Sequence, residues 1–365
     1  MPSAKTKAAI AVDAGPGRQS IWFIAGLVLA ISVGVFLRLY LLRDQILLDD
    51  EWHGMNYAAF SDSFSRVLTH FSLGLATSIP LNVYDYLLLK TIGWNETWLR
   101  LPSIVGGLLS LFIFPLLVRQ TFNRRVTLIF TALLAISPFL IFYSRMARPY
   151  SLVVLFGFAA IWALYLWATR GGKKYAAIYV ICACVTICLH LFAVVAVLVP
   201  LGILGIMALL NCLAKTKNRK FYPTLGPLTI SAVLIAGVTA AFLKVGLTSS
   251  TASLIIGQDH MTLATLTGFA SLLSGTANPV SISFFVVLLA LGLLFAAKER
   301  WLLPSVFVLS LIFYFIAFAV LRPSLIHDPI VAARYVTTLF PLGLLLVAAG
   351  IDGTMKYIDL TRSTV

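Results

Sequence analysis

Charged residues are scarce in this chain. Asp, Glu, Lys and Arg make up 11% of its 365 residues, whereas 60% of the residues are hydrophobic. Soluble domains carry about 25% charged residues, so this composition excludes a soluble globular protein. Several runs of roughly 20 almost uncharged residues match the helix length that crosses a hydrocarbon core of about 30 Å. The sequence therefore predicts an all-α polytopic membrane protein.

Cysteine is also rare, with four residues in the chain. Three of them, Cys182, Cys184 and Cys188, lie in one apolar segment that offers no loop for a disulfide to join. We predict that they act as small hydrophobic residues, without a redox or metal role.

Acidic residues number only 13, against 27 basic ones, which gives a net charge of +14. In a soluble protein this excess would suggest nucleic acid, but the basic residues cluster between alternate apolar segments, as the positive-inside rule predicts. With a cytoplasmic N-terminus, 17 of the 27 basic residues fall on the cytoplasmic side and 9 of the 13 acidic residues on the other. We therefore expect a membrane bilayer around the chain and no nucleic-acid partner.

About ten transmembrane helices are predicted. They fall at residues 20–42, 102–119, 126–144, 149–169, 175–189, 191–212, 226–244, 281–297, 301–321 and 335–351. Residues 20–352 then form a single transmembrane domain between two cytoplasmic tails, residues 1–19 and 353–365. The first span follows a basic stretch and has no small-residue cleavage site, so it reads as an uncleaved signal anchor.

Three unequal loops lie on the outer side, at residues 43–101, 245–280 and 322–334. Counting residues 75–93 as a span would invert every later loop and place the basic clusters outside. We therefore predict two juxtamembrane helices in the first outer loop, at residues 55–72 and 75–93, lying along the membrane surface.

Ionisable residues gather near the outer ends of the predicted spans, where such groups are costly and mark functional sites. They are Arg38, Asp50, Glu51, His53, Arg100, Arg145, Arg148, Tyr150, His190, Arg322, His327, Asp328 and Arg334. Arginine binds phosphate bidentately and stabilises a leaving group whose charge grows in the transition state. A carboxylate can accept the proton of an attacking hydroxyl. The set suits transfer from a phosphorylated lipid.

Six motifs occur in order along the chain. They are "VFLRLYLL" (35–42) with "LLDDEWHG" (47–54), "WNETWLRLPSIVGGLLS" (94–110), "ISPFLIFYSRMARPYSLVVL" (136–155), "LHLFAVV" (189–195) and "ARYVTTLFPLGLLLVAAG" (333–350). This order resembles the GT-C membrane glycosyltransferases, in the branch of the protein O-mannosyltransferases and the lipid A aminoarabinose transferase. The proline-rich "HPPLYY" stretch of that family is reduced here to "SIPLNVYDY" (78–86).

The resemblance implies a GT-C fold, a polyprenyl-phosphate sugar donor and an active site on the non-cytoplasmic face. It implies catalytic roles for Asp50, as general base, and Glu51, in an orienting or second role. Because Asp49 precedes this pair, the register of the acidic motif stays open by one residue. Donor phosphate or sugar binding is implied for Arg145, Arg148, Tyr150, His190, Arg334 and Tyr335, with His53 and Arg38 as supporting residues. No cofactor is expected, and a divalent metal is not favoured because Asp50, Glu51 and His53 form an incomplete ligand set.

The function predicted from these features is an inverting, polyprenyl-phosphate-sugar-dependent glycosyltransferase with a lipid, glycan or protein acceptor. We expect it in a bacterial inner membrane, with the site facing the periplasm or the exterior. Two other classes stay open: a transporter or lipid-linked sugar flippase, and a non-catalytic scaffold. Transporters place charged groups and broken helices near the bilayer midplane, whereas the central thirds of these spans carry almost no charge.

Overall fold

The structure is a computed structural model that describes residues 18–69, 78–213, 223–246 and 256–363. These residues form helices and connecting turns, with no strand among them. The helices are α1 Arg18–Leu39, α2 Asp49–Ala59, α3 Phe64–Thr69, α4 Ile79–Thr91, α5 Glu96–Arg119, α6 Arg124–Ile136, α7 Pro138–Ser144, α8 Tyr150–Arg170, α9 Lys173–Leu189, α10 Val194–Leu213, α11 Leu225–Gly246, α12 Leu263–Ser274, α13 Pro279–Arg300, α14 Leu302–Leu321, α15 Pro329–Tyr335 and α16 Phe340–Ser363. The predicted all-α polytopic class is confirmed.

Eight helices in the described part of the chain are long and apolar enough to cross a membrane: α1, α5, α8, α10, α11, α13, α14 and α16. The bent pair α6 and α7 makes a ninth crossing if it counts as one. The remaining predicted span, residues 175–189, lies in α9. This helix has 17 residues, about 26 Å at 1.5 Å per residue, which is the lower end of the range that crosses a bilayer.

The 57° bend between α6 and α7 has a local cause. Pro138 begins α7 and has no N–H to continue the α6 ladder, and Ser137 caps the new helix. The carbonyls freed at the end of α6 bind Arg38 of α1, which donates to Leu134 O at 3.1 Å and Ala135 O at 3.2 Å. Arg38 is buried and also donates to Gly34 O at 3.0 Å, so it stabilises the bend.

The core lies along α8 and α16, each buried over most of its length. Aromatic rings of α8 stack there, with Phe158 and Trp162 fully buried. By contrast, α1, α11 and α13 bury little of their surface and expose large apolar side chains such as Phe284 and Leu294. Apolar side chains on the outside are expected where lipid is the solvent.

The two ends of the helix bundle differ in charge, as the loop charges predict. At one end Arg170 donates to Gln120 O at 2.8 Å and Arg300 to Thr121 O at 3.0 Å. The buried Asp352 ties this end together through Asn123, Arg125 and Lys356. Because α5 and α8 finish at this end, their first residues lie at the other end, beside the first outer loop. Which end faces the cytoplasm stays a prediction.

The described part of the first outer loop holds three short α-helices, where two were predicted. They are α2, α3 and α4, and the longest, α4, has 13 residues, too few to span a bilayer. Residues 70–77 lie outside the described residues. On α4 the side chains of Asn82 and Asp85 are buried inside the protein, although the helix predicted at residues 75–93 was expected to lie along the membrane surface.

The second and third outer loops contact each other. Asp259 accepts a hydrogen bond from Leu325 N at 2.5 Å, and Thr265 of α12 donates to His327 O at 2.7 Å. Gly268 of α12 lies against Pro329, where a Cβ would overlap the proline ring. These contacts fix α15 above the bundle, and α15 carries Arg334.

Substituting Gly292 in α13 tests the packing of α13 on α16. A Cβ on Gly292 would overlap the carbonyl oxygen of Leu346, so Gly292→Ala should lower the free energy of unfolding by about 1–3 kcal/mol. The matched control is Gly237→Ala in α11, where a Cβ meets nothing within 4 Å and a small gain is expected. Thermal unfolding of the detergent-purified variants measures both; equal midpoints would contradict the close packing.

Candidate active site

The candidate site forms where three segments from distant parts of the sequence meet. They are the start of α2, the turn at residues 145–149 before α8, and α15. Asp50 of α2 lies 3.1 Å from Arg148 Nε and 3.5 Å from Arg334 Nη1. Its side chain is 33% exposed, whereas Arg148 and Arg334 are 9% and 21% exposed. One partly accessible carboxylate thus stands between two largely buried guanidinium groups.

Glu51, the next residue, has a different environment. It is fully buried, and its two oxygens accept from Leu48 N at 2.7 Å, Ala147 N at 2.6 Å, and Arg100 Nε and Nη2 at 3.0 and 3.1 Å. The bond to Leu48 N closes the first turn of α2. The bond to Ala147 N holds the turn that carries Arg148. Glu51 therefore fixes both sides of the Asp50–Arg148 pair.

Arg100 completes this arrangement from α5. It is fully buried, and it also donates to Gln45 O at 2.7 Å and Ile46 O at 2.9 Å. The first outer loop is thus tied to α5 before α2 begins. Arg100 belongs to the ionisable set of the sequence but not to the predicted site residues; its one sequence signal is a charge in the first turns of an apolar helix.

An aromatic layer lies beside the arginines. Arg148 lies 5.9 Å from the ring of Tyr150, and Arg334 lies 5.4 Å from the ring of Tyr335, distances at which cation–π attraction acts. The His190 ring lies between the two tyrosines, 5.8 Å from Tyr150 and 5.6 Å from Tyr335. The structure therefore brings Asp50, Arg148, Tyr150, His190, Arg334 and Tyr335 into one cluster.

The environment of His190 fixes its protonation state. Burial, with Arg334 and Arg148 close by, lowers its pKa to about 3, so the ring is neutral at neutral pH. Within the described part of the chain, its Nδ1 has no hydrogen-bond partner. A neutral imidazole with a free nitrogen can accept or donate one hydrogen bond to a bound polar group.

Other predicted site residues lie elsewhere. Arg145 donates to Gln45 Oε1 at 3.1 Å and Leu37 O at 3.3 Å, and the described ion pairs do not join it to Asp50. Arg38 binds the bend between α6 and α7. The side chains of His53 and Asp49 fall outside the described residues. In the part of the chain that the structure describes, no three His, Cys, Asp or Glu residues form a metal-binding group, and metal independence stays a prediction.

Sequence reasoning did not select Tyr143 of α7. Its buried ring packs edge-on against Tyr150 at 4.6 Å, and its hydroxyl donates to Ile330 O of α15 at 3.4 Å. Tyr143 thereby joins α7, α8 and α15 at the cluster. The sequence places it two residues before Arg145 in a predicted span, where an aromatic residue reads as ordinary packing.

An apolar groove of about 730 Å³ lies between α10 and α14. It extends from Val194 and Leu321 to Ile206 and Leu309. The end of the groove at Val194 and Leu321 adjoins the aromatic layer. Phe192 lies two residues before Val194 and Phe318 three before Leu321, and their rings lie 4.4 and 5.7 Å from the ring of Tyr335. The groove thus begins beside Arg334 and continues among apolar side chains.

Comparison with known proteins gives two findings. Residues 86–241 match the family model of dolichyl-phosphate-mannose-protein mannosyltransferases, and no curated protein matches the chain. The fold is similar to that of the archaeal oligosaccharyltransferase AglB from Archaeoglobus fulgidus, solved with an inhibitory peptide and a dolichol-phosphate. The TM-score is 0.56 at 13% identity, over 95% of this chain and 52% of AglB.

These findings confirm the resemblance to GT-C glycosyltransferases that the motifs indicate. At this identity the likeness to AglB is one of fold, and the chain spans about half the length of AglB. The family match covers α5 to α10 and most of α11, and so includes Arg148, Tyr150 and His190.

The buried Glu51–Arg100 pair can be tested by neutralising the acid. Glu51→Gln leaves Arg100 buried without a counter-charge and should cost about 3–5 kcal/mol in the free energy of unfolding. The matched control is Glu96→Gln, an exposed acid in the first turn of α5, expected to cost only a few tenths of a kcal/mol. Thermal unfolding in detergent gives the comparison; equal stability of the two variants would contradict the structural role.

Proposed function

We propose that this protein is an inverting membrane glycosyltransferase that moves a sugar from a polyprenyl-phosphate-linked donor to an acceptor hydroxyl. The observation that carries the proposal is Asp50, a partly exposed carboxylate within ion-pair distance of both Arg148 and Arg334. The apolar groove that begins at the aromatic layer provides a complementary surface for a lipid chain.

The donor would bind through its two chemically different parts. Its phosphate would take charge-assisted hydrogen bonds from Arg148 and Arg334, which are bidentate donors suited to phosphate. Its lipid chain would pass over Tyr335 and Phe192 into the apolar groove. The sugar would then lie near His190 and Tyr150, where aromatic faces and a free imidazole nitrogen supply contacts.

The reaction would be a single displacement at the anomeric carbon. Asp50 accepts the proton of the acceptor hydroxyl as the acceptor oxygen forms its bond to the anomeric carbon. The bond from that carbon to the phosphate oxygen breaks, and its electron pair stays on the lipid phosphate. Attack opposite the leaving group inverts the configuration. The two arginines stabilise the charge that grows on the phosphate.

Asp50 and Glu51 have different environments, and we assign them different roles for that reason. Both oxygens of Glu51 are occupied by four hydrogen-bond donors, and the residue has no exposed surface. Asp50 is partly exposed to solvent, and its charge is balanced by the side chains of Arg148 and Arg334. We therefore assign the general base to Asp50 and the orienting role to Glu51.

The membrane placement follows the charge pattern. The site lies at the bundle end opposite Arg170, Arg300 and Asp352, and we propose that this end faces the periplasm or the exterior of a bacterial inner membrane. The acceptor, whether lipid, glycan or protein, would approach Asp50 from that side.

Asp50→Asn tests the general base. Removing the proton acceptor should lower the rate of sugar transfer by about 10²–10⁴-fold, while the amide oxygen still accepts from the arginines and preserves the fold. The assay follows release of polyprenyl phosphate from candidate polyprenyl-phosphate sugars by the purified protein. Asp62→Asn, an exposed acid of the same loop, serves as the control. Full activity of Asp50→Asn would refute the base, and no turnover with any donor would favour a transporter or scaffold.

The three arginines predicted for donor binding can be separated by Arg→Lys variants. At Arg148 or Arg334, lysine keeps the charge but loses the bidentate geometry, so the donor KM should rise about tenfold or more. At Arg145 the geometry predicts a change in stability, with the donor KM nearly unchanged, because its bonds go to Gln45 and Leu37. A KM increase for Arg145→Lys equal to that of Arg334→Lys would show that it also binds the donor.

A further inference from the structure

Asp85 of α4 is a buried acid that the proposed reaction does not use. It is 2% exposed, and its Oδ1 is without a hydrogen-bond partner among the described atoms. Its backbone carbonyl accepts a hydrogen bond from Trp94 Nε1 at 3.3 Å. A buried polar atom without a partner is rare and calls for an explanation.

The packing of α4 directs Asp85 toward the candidate site. Asp85 shares the buried face of α4 with Leu81 and Leu88, four residues before it and three after. Leu88 packs in one cluster with Met55 of α2 and Ala147. Met55 is one turn beyond Glu51, and Ala147 precedes Arg148. The face that carries Asp85 therefore packs against the two segments that hold the Asp50–Arg148 pair.

Arg148 is the cation that acts on Asp85. Burial raises the pKa of Asp85 to about 8, although Arg148 opposes this by favouring the carboxylate. The helices packed on α4 carry other charged groups: Asp50 and Glu51 on α2, Arg66 on α3, and Glu96 and Arg100 on α5. Glu51 and Arg100 pair with each other, and Arg66 pairs with Asp62. Tyr84, on α4 itself, and the Cys188 thiol on α9 are uncharged at neutral pH.

We propose that Asp85 is a positioning residue for the donor phosphate. Its protonation state would determine how strongly the Arg148 guanidinium attracts that phosphate. This rests on the proposed function, in which Arg148 binds that phosphate. With Asp85 protonated, Arg148 is shared only by Asp50 and the phosphate. With Asp85 ionised, a second carboxylate competes with the phosphate for the same guanidinium.

The sign of the effect follows from linkage. Asp85 is neutral below its pKa and becomes charged as the pH rises through about 8, so donor affinity should fall over that range. Binding of an anion next to Asp85 must, by reciprocity, favour its protonated form. Asparagine at this position imitates the protonated acid at every pH.

The test measures donor KM and kcat between about pH 6.5 and 9.5 for the full chain, Asp85→Asn and the control Asp62→Asn. We expect the donor KM of the wild-type protein and of Asp62→Asn to rise about fivefold or more over this range. A fivefold change is the lower end of the coupling typically found between two linked binding events. The KM of Asp85→Asn should stay near its neutral-pH value. If the KM of Asp85→Asn rises with pH as in the unchanged protein, the proposal is wrong.

A second readout needs no turnover. Infrared difference spectra between the unchanged protein and Asp85→Asn should show a protonated-carboxyl C=O band at neutral pH that disappears above about pH 8. Added polyprenyl monophosphate should keep this band to a higher pH. If transfer fails with every donor but the band responds to polyprenyl monophosphate, the proposed function is wrong and the assignment of Asp85 stands. If the band is absent, or if polyprenyl monophosphate does not change its pH dependence, the assignment of Asp85 is wrong.

Discussion

The ion pair between Glu51 and Arg100 is the interaction on which the candidate site depends. Both side chains are fully buried, and taking two charges out of water is costly unless every donor and acceptor finds a partner. Here they do: Glu51 receives two backbone N–H groups in addition to Arg100, and Arg100 donates to two backbone carbonyls as well. The pair thus fixes the backbone of residues 45–48 and of Ala147 and joins both segments to α5.

This order explains how two adjacent acids come to differ. At the start of a helix, consecutive side chains point about 100° apart, so Glu51 turns into the protein and Asp50 toward the arginines. One carboxylate is saturated by fixed donors, while the other faces side chains that a ligand can share. Environment, and not residue type, separates the fully buried acid from the partly exposed one, as it does in enzymes whose two carboxylates have different roles.

Much of the fold could be predicted from hydropathy and loop charge, because a lipid environment constrains both strongly. The all-α polytopic class and the charge difference between the bundle ends follow from those two constraints. The counts were less accurate: ten spans were predicted where eight or nine helices of the described residues are long enough to cross, and two short helices were predicted in the first outer loop where three are described. Asp50, Arg148 and Arg334 all belong to the ionisable set near the predicted span ends, and the family resemblance assigned them to the site. The residues that contact them could not be predicted from the sequence. Whether Arg145 or Arg148 reaches Asp50 depends on the turn at residues 145–149, which Glu51 fixes from 96 residues away.

The same limit applies to Arg38 and Asp85. Sequence reasoning listed Arg38 as a supporting residue of the site, but the break at Pro138 frees carbonyls that bind its guanidinium. Asp85 looked like an interfacial residue because hydropathy records polarity and not the neighbours that a fold supplies. In both cases the deciding group comes from another helix, and periodicity within one segment holds no information about it.

The charges that remain in the cluster indicate what it lacks. Glu51 and Arg100 cancel each other, His190 is neutral, and Asp85 is mostly protonated at neutral pH. Arg148 and Arg334 then face the single charge of Asp50, which leaves the cluster with an excess of one positive charge in a poorly solvated place. Such an excess is costly until an anion arrives. A sugar phosphodiester of a lipid carries one negative charge, and its apolar chain matches the groove beside Arg334. Charge and shape therefore both support the proposed lipid-phosphate donor.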